Sequence, residues 1–222
     1  MSVAAATRNI AASSASPSAP LVMVLDDDPD VRVSLMDMFQ SVDLEAKTFA
    51  STAELLDYAM PDRPLCLVLD LRLPGSSGLE IQAQLRERAA DVPIIFITGL
   101  ADVPTSVRAM KAGAVDFLPK PFSEQELLDA VSLGLRRHAA SRSADAERGH
   151  VRRLAASLTP RERDVVAGVA RGLLNKQIAF ELGITEITVK MHRSSAGRKL
   201  QSVSVADMIR KAAMIDLGIS TP

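Results

Sequence analysis

Carboxylates, a hydroxyl and an ammonium stand at the ends of four short apolar runs. Asp26-Asp27-Asp28 follows Leu21–Leu25, Asp70 follows Leu65–Leu69, Thr98-Gly99 closes Pro93–Thr98, and Lys120-Pro121 follows Val115–Leu118. Acids packed together repel one another, and a hard divalent cation with oxygen ligands neutralises them. Asp28, directly before Pro29, is best used as a helix cap, which leaves Asp26, Asp27 and Asp70 for the metal. A carboxylate held beside Mg²⁺ and facing a lysine can act as a nucleophile toward a phosphoryl group, because both cations stabilise the equatorial oxygens during transfer. The product is an aspartyl phosphate. Taken singly, each residue has an ordinary structural reading: an acid that turns or caps, a solvated lysine, a threonine in a strand. Their joint appearance at successive strand ends is what points to a site.

Such ends converge only if the runs are parallel strands of one sheet, since open α/β sheets bind ligands outside the carboxyl ends of their strands. Between Leu21 and His138, strand-like runs (21–25, 45–49, 65–69, 93–98, 115–118) alternate with amphipathic stretches (29–41, 52–60, 78–89, 104–112, 124–138). Continuous runs such as Ile94-Ile95-Phe96-Ile97 indicate burial on both faces. The expectation is an α/β domain over 21–138 with a doubly wound, five-stranded parallel sheet. Ser123-Glu124-Gln125-Glu126 reads as a capping box at the start of its last helix.

Residues 1–20, rich in Ala and Ser, read as a disordered leader, with neither a secretory core nor a membrane span. A cytoplasmic address is therefore expected. Residues 139–156 read as a polar, partly helical linker, and 157–222 as a separate all-α domain with four helices over 160–171, 175–182, 186–200 and 204–216. The single Cys66, inside a strand-like run, excludes an internal disulfide and reads as a small buried hydrophobe. Charge is split: residues 1–138 hold 12 Lys and Arg against 19 Asp and Glu, and residues 139–222 hold 14 against 8. The basic half suits an anionic partner, either DNA or a membrane surface.

Two features narrow that choice. The segments 175–182 and 186–200 are separated by Gly183-Ile184, with Thr185 placed to cap the second, which is helix-turn-helix spacing. In the second segment Val189, Ala196 and Leu200 recur at helical intervals, whereas Lys190, Arg193, Arg198 and Lys199 put positive charge on the outer side. A solvated surface helix has the same pattern. Thr159-Pro160-Arg161-Glu162 opens the first helix of the domain with a cap, an N1 proline and a glutamate at N3. His138, His150 and His192 lack metal-ligand spacing. In the last helix, Val205, Met208, Ile209 and Ala212 form a stripe that either closes the core or forms a dimer seam.

Val24-Leu25-Asp26-Asp27-Asp28-Pro29, Leu69-Asp70-Leu71-Arg72-Leu73-Pro74 with Gly78, Ile97-Thr98-Gly99 and Phe117-Leu118-Pro119-Lys120-Pro121-Phe122 resemble the receiver domains of two-component response regulators. The resemblance implies a flavodoxin-like fold in which Asp70 accepts the phosphoryl group. It also implies that Asp27, Asp70 and the Arg72 carbonyl ligate Mg²⁺, that Asp26 acts through water, and that Lys120 pairs with the phosphoryl group. Thr98 and Phe117 look like the switch pair of such domains, although Phe117 also fits an ordinary core phenylalanine. Leu158–Arg163, Gly172–Ala179, Thr188–Arg193 and Arg198-Lys199-Leu200 resemble the LuxR-type DNA-binding domain, so the whole is similar to a NarL/FixJ-type regulator. By that analogy Lys190, Met191 and Ser194 face bases, and Asn175, Lys176, Thr188, His192, Arg193 and Lys199 lie near phosphates. Leu174, where the family usually carries a small polar residue, and the Ser194-Ser195-Ala196-Gly197 stretch depart from its pattern.

The implied function is a phosphorylation-gated transcription regulator rather than an enzyme. Its partners would be a sensor histidine kinase, double-stranded promoter DNA, a second copy of the chain when phosphorylated, and RNA polymerase. An aspartate-dependent phosphohydrolase is disfavoured because Arg72, not an acid, stands two residues after Asp70. A receiver that dimerises without phosphorylation is the third reading, and the intact acid cluster argues against it.

Overall fold

Alternate side chains of the central strands enter two separate cores, which is why both parities of each run are apolar. Leu21, Met23, Leu25, Leu65, Leu67, Leu69, Ile94 and Phe96 lie in one core, and Val22, Val24, Cys66, Val68, Ile95 and Ile97 in the other. The computed structural model describes residues 19–88, 91–99 and 103–217, arranged as two units, Met1–Ser141 and Arg142–Pro222. The leader expected over 1–20 lies, up to residue 18, outside the described residues.

In the first unit β1 (Leu21–Leu25), β2 (Glu45–Phe49), β3 (Leu65–Asp70), β6 (Ile94–Thr98) and β7 (Asp116–Pro119) form a parallel sheet in the order β2-β1-β3-β6-β7. Helices α2 (Thr52–Asp57), α3 (Gly78–Glu87) and α4 (Val103–Lys111) supply Leu55, Ile81, Leu85 and Ala109 to one core. Helix α1 (Pro29–Ser41) and the start of α5 (Glu124–Ala156) supply Leu35, Phe39, Leu127, Val131 and Leu135 to the other. Helices on both faces make this the doubly wound sheet that the sequence implies.

Two elements differ from expectation. A two-stranded antiparallel ribbon, β4 (Arg72–Leu73) with β5 (Ser76–Ser77), follows β3 and turns through Gly75, whose φ of 78° favours glycine. Helix α5 runs from Glu124 to Ala156, so the stretch 139–156 is helical throughout. It contains no proline, is rich in alanine, and carries an i,i+3 pair of Arg148 with Asp145 at 2.8 Å, so nothing in it stops a helix.

The second unit packs α6 (Pro160–Ala170), α7 (Asn175–Leu182), α8 (Glu186–Lys199) and α9 (Val205–Met214) around Val165, Val166, Ile178, Val189, Ala196, Leu200, Met208 and Ala212. Met208 and Ala212 are buried and Ile209 packs against them, so the stripe of the last helix closes the core, while Val205 is 48% exposed. Gly197, inside α8, faces the end of the Met208 side chain, and the helix continues unbroken past it. No helix among the described residues is long and apolar enough to cross a membrane.

Candidate functional site

Register brings the charged strand ends together. Leu25 pairs with Leu69, Asp70 with Ile97 and Thr98 with Pro119, so Asp26, Asp70, Thr98 and Lys120 gather at the carboxyl ends of the strands. Lys120 Nζ donates to Asp26 Oδ2 and to Asp70 Oδ2, each at 2.9 Å. The other carboxylate oxygens accept backbone N–H bonds: Asp28 N to Asp26 Oδ1 and Arg72 N to Asp70 Oδ1, both 2.9 Å. Asp28 caps α1 through a bond from Asp30 N, which leaves its neighbours free for other work.

Burial grades the acids. Asp26 is fully buried, Asp27 is exposed, and the Asp70 side chain keeps 13% of its surface in solvent. Burial pushes the Asp26 carboxyl above the usual carboxylate range, offset in part by Lys120 and by the Asp28 N–H. Burial works to lower the Lys120 ammonium, but its bonds to Asp26 and Asp70 outweigh this and hold it above the ordinary lysine range. It is a fixed positive charge at the mouth of the site.

Ligand oxygens of Asp26, Asp27 and Asp70 all lie within 4.8 Å of one another. An all-oxygen donor set of that size fits a hard divalent cation. Receiver domains generally bind Mg²⁺ at such an acidic pocket.

Thr98 is fully buried, and its carbonyl accepts from Lys120 N at 2.7 Å. Phe117 is half-buried against the first core and pairs across the ladder with Phe96, the two rings 6.3 Å apart. Thr98 lies two residues beyond Phe96, so Thr98 and Phe117 share one face of the sheet. That is the face against which α4 packs Ala109.

Two further residues build the site: Arg32, which the sequence did not bring forward, and Gly78, which stands in it only as part of the receiver-like pattern. Arg32, one turn into α1, donates from Nη1 to the carbonyls of Asp26 and Asp27 at 2.8 and 2.9 Å and so pins the acidic loop. A long cation on the first turn after an acid run was the available signal. Gly78 gives α3 its close approach: an added Cβ would meet Phe96 at 2.9 Å and the Asp70 carbonyl at 3.0 Å.

In the second unit Gly183, left-handed at φ 63°, ends α7, and Thr185 caps α8 through a bond from Thr188 N. Lys190, Met191 and Ser194 lie exposed on α8. Lys176 is exposed on α7, while Thr188 and His192 are half-buried, and Thr188 Oγ1 bonds Thr185 Oγ1 at 2.9 Å. Arg193 Nη1 donates to Asn175 Oδ1 at 3.0 Å, tying the two helices together. Lys199 is drawn inward: its Nζ reaches Glu162 Oε2 at 2.6 Å and the Ser157 carbonyl at 3.1 Å. Leu174 stands at the N-cap of α7 with no side-chain acceptor; only Gln177 Oε1 answers, accepting from Leu174 N at 2.8 Å.

The fold and acidic site of the first unit are those of a receiver, and the second unit is a helix-turn-helix module. Comparison with known proteins agrees: residues 22–132 match the response regulator receiver domain, and residues 156–212 match the bacterial regulatory proteins of the luxR family. Nodulation protein W of Bradyrhizobium diazoefficiens is 50% identical over 90% of this chain and 87% of its own. Transcriptional regulatory protein FixJ of Azorhizobium caulinodans is 39% identical over 87% of this chain and 92% of its own. The solved structure of response regulator StyR is 46% identical and superposes with a TM-score of 0.76 over 88% of this chain and 99% of that one. The chain belongs to the response regulators that join a receiver to a luxR-type DNA-binding domain. It is a phosphorylation-dependent, DNA-binding transcription regulator.

Proposed function

We propose that Asp70 is the phosphoacceptor, supplied by a sensor histidine kinase in the cytoplasm, and that its phosphorylation controls pairing of the chain and hence promoter binding. One observation carries the choice of residue. Among the described acids, Asp70 alone both bonds Lys120 and keeps part of its side chain in solvent. Asp26 bonds the same lysine but is sealed, and Asp27 is open but no lysine bond is found for it.

Asp27 and Asp70, with the Arg72 carbonyl, would hold Mg²⁺, with Asp26 linked through water; the ion supplies charge stabilisation to the transferring phosphoryl group. This chain's own part is the following. An Asp70 carboxylate oxygen bonds to phosphorus while the bond from phosphorus to the donor's leaving atom breaks, and the donor keeps that electron pair. Lys120 then faces an additional negative charge and turns toward the phosphoryl oxygens. Thr98, joined to Lys120 through its carbonyl, follows with its hydroxyl, and the half-buried Phe117 ring on the same face turns inward. The face reached in this way carries α4, whose Val103, Val107 and Met110 are 77%, 45% and 45% exposed at helical spacing. That stripe supports a dimer. Pairing two receivers makes the DNA contacts bivalent, which raises affinity without new chemistry.

On the DNA side, Lys190, Met191 and Ser194 would meet bases. Asn175, Lys176, Thr188, His192 and Arg193 would lie near phosphates, whereas Lys199, expected among them from sequence, is engaged instead by Glu162 and the Ser157 carbonyl. RNA polymerase is the remaining partner in this reading, supported by the regulatory role of the family.

Incubation with Mg²⁺ and acetyl phosphate tests the acceptor. The wild type should form an acid-stable, alkali-labile adduct that raises its affinity for target DNA, and Asp70→Asn should form none. An adduct of equal yield on Asp70→Asn would refute the assignment.

A further inference from the structure

The exposed face of α8 is not uniformly polar. Ile187, Lys190, Met191, Ser194 and Arg198 are all exposed and recur at intervals of three and four, while Val189 and Ala196 point into the core. Ile187 is 72% and Met191 is 68% exposed, four residues apart on that face, on either side of Lys190. The helix gains nothing from Ile187 there. A β-branched residue is a weaker helix former than lysine, glutamate or glutamine, and at 72% exposure it buries little in the domain. An apolar pair in water, flanked by cations, on the second helix of a helix-turn-helix has one apolar target in a major groove: the C5 methyl of thymine.

We infer that Ile187 and Met191 are specificity residues that select thymines in the operator half-site through their C5 methyl groups. The inference rests on the DNA-binding reading and deepens it, because it states what the helix reads and adds Ile187, which the family pattern did not bring forward. Two residues four apart are separated by about 6 Å along a helix axis, at about 1.5 Å per residue. That is close to two base steps of about 3.4 Å each. Lys190, on the same face, would meet a guanine edge, so the expected half-site carries thymines about two steps apart beside a guanine.

The test starts with the full-length, acetyl phosphate-treated chain and a random duplex pool, from which bound sequences are selected. Each thymine of the selected half-site is then replaced by deoxyuridine, which removes the methyl and leaves every hydrogen-bonding group in place. The wild type should lose about three- to fourfold in affinity at each of two positions, the value of about one buried methyl. Ile187→Ser should become insensitive at one position and Met191→Ser at the other; both side chains are exposed, and equal melting curves confirm that the variants fold. Wild-type affinity that ignores every deoxyuridine, a selected site without thymines, or an Ile187→Ser variant that keeps both penalties overturns the inference while DNA binding stands. A chain that selects no sequence at low salt refutes the DNA-binding reading itself.

Discussion

Replacing Glu162 by Gln should unlock the second unit, because this one carboxylate gathers most of the polar contacts between the first and third helices of the domain. Its Oε2 accepts from Thr159 N at 2.8 Å and from Lys199 Nζ at 2.6 Å, and its Oε1 accepts from Ser195 Oγ at 2.7 Å. The side chain is only 5% exposed. The Lys199 bond above all, with those of Ser195 and Thr159, holds its carboxyl at about 2 against an ordinary 4.5, despite the opposing effect of burial. At about 1.4 kcal/mol per pH unit, that corresponds to about 3 kcal/mol favouring the charged, folded form. Because the folded-state value lies below the unfolded one, the contribution is full above about 4.5 and is lost as pH falls toward about 2. Urea titrations read by peptide-resolved hydrogen exchange report residues 160–214 separately from the receiver. At pH 7, Glu162→Gln should lower the stability of that segment by about 2–3 kcal/mol, since Lys199 keeps 33% of its side chain in water and can turn outward. The gap between wild type and variant should close between pH 4.5 and 2.5. Equal stability at pH 7, or a gap that stays constant across that range, would refute the reasoning.

Two further outcomes rest on packing and capping. Gly134 lies in α5, where an added Cβ would sit 2.7 Å from Cys66 Sγ; Gly134→Ala should therefore destabilise the receiver by about 1–2 kcal/mol in thermal unfolding, although alanine is the better helix former. In a Cys66→Ala background the clash is gone and the same change should turn stabilising, so a penalty that persists there would disprove the contact. At the N-cap of α7, Leu174→Ser should stabilise the second unit by about 1 kcal/mol by offering a side-chain acceptor to the first-turn N–H of Lys176, since Gln177 N already donates to the Leu174 carbonyl at 2.9 Å, and Leu174→Ala, with no acceptor, should not. Identical melting of the serine and alanine variants would remove the cap as the cause.

The sheet and its acidic edge were legible because parallel strands buried on both faces leave unbroken apolar runs, and because such runs here end in Asp26, Asp70, Thr98 and Lys120. Asp28, Thr159 and Thr185 were readable as caps from residue type alone, and each accepts the expected backbone N–H. The burial of Cys66 was also readable; desolvation pushes its thiol up to about 12, which makes it a packing residue. Contacts across the chain were not readable. Lys199 meets Glu162 only because α6 packs on α8, and a lysine in a basic helix gives no sign that it turns inward. His138 reads as a helix-end residue, yet it is buried and accepts the Leu65 N–H at 2.7 Å, a bond that depends on where α5 crosses the start of β3. The β4–β5 ribbon is too short for any periodicity, and the length of α5 is hidden because its sequence contains no stop.

With Asp70 as the proposed acceptor, accepting a phosphoryl group and sensing one would draw on the same lysine, Lys120. Three carboxylates of Asp26, Asp27 and Asp70 face one ammonium, so the edge carries a formal deficit of two positive charges that a divalent cation would cancel. Lys120 divides its ammonium equally, 2.9 Å from each of Asp26 and Asp70. A phosphoryl group on Asp70, the proposed acceptor, would end that balance, because its added charge would compete with the buried Asp26 for the same ammonium. The backbone N–H of Lys120, the residue after β7, is bonded to the Thr98 carbonyl at 2.7 Å, and Phe117 lies three residues earlier, within β7. On the proposed assignment, a shift of the lysine toward the phosphoryl group would act on Thr98 and Phe117 through the ladder that joins β6 to β7. The residue that neutralises Asp70 in the resting state would thus, on the same assignment, be the one whose displacement reports its modification.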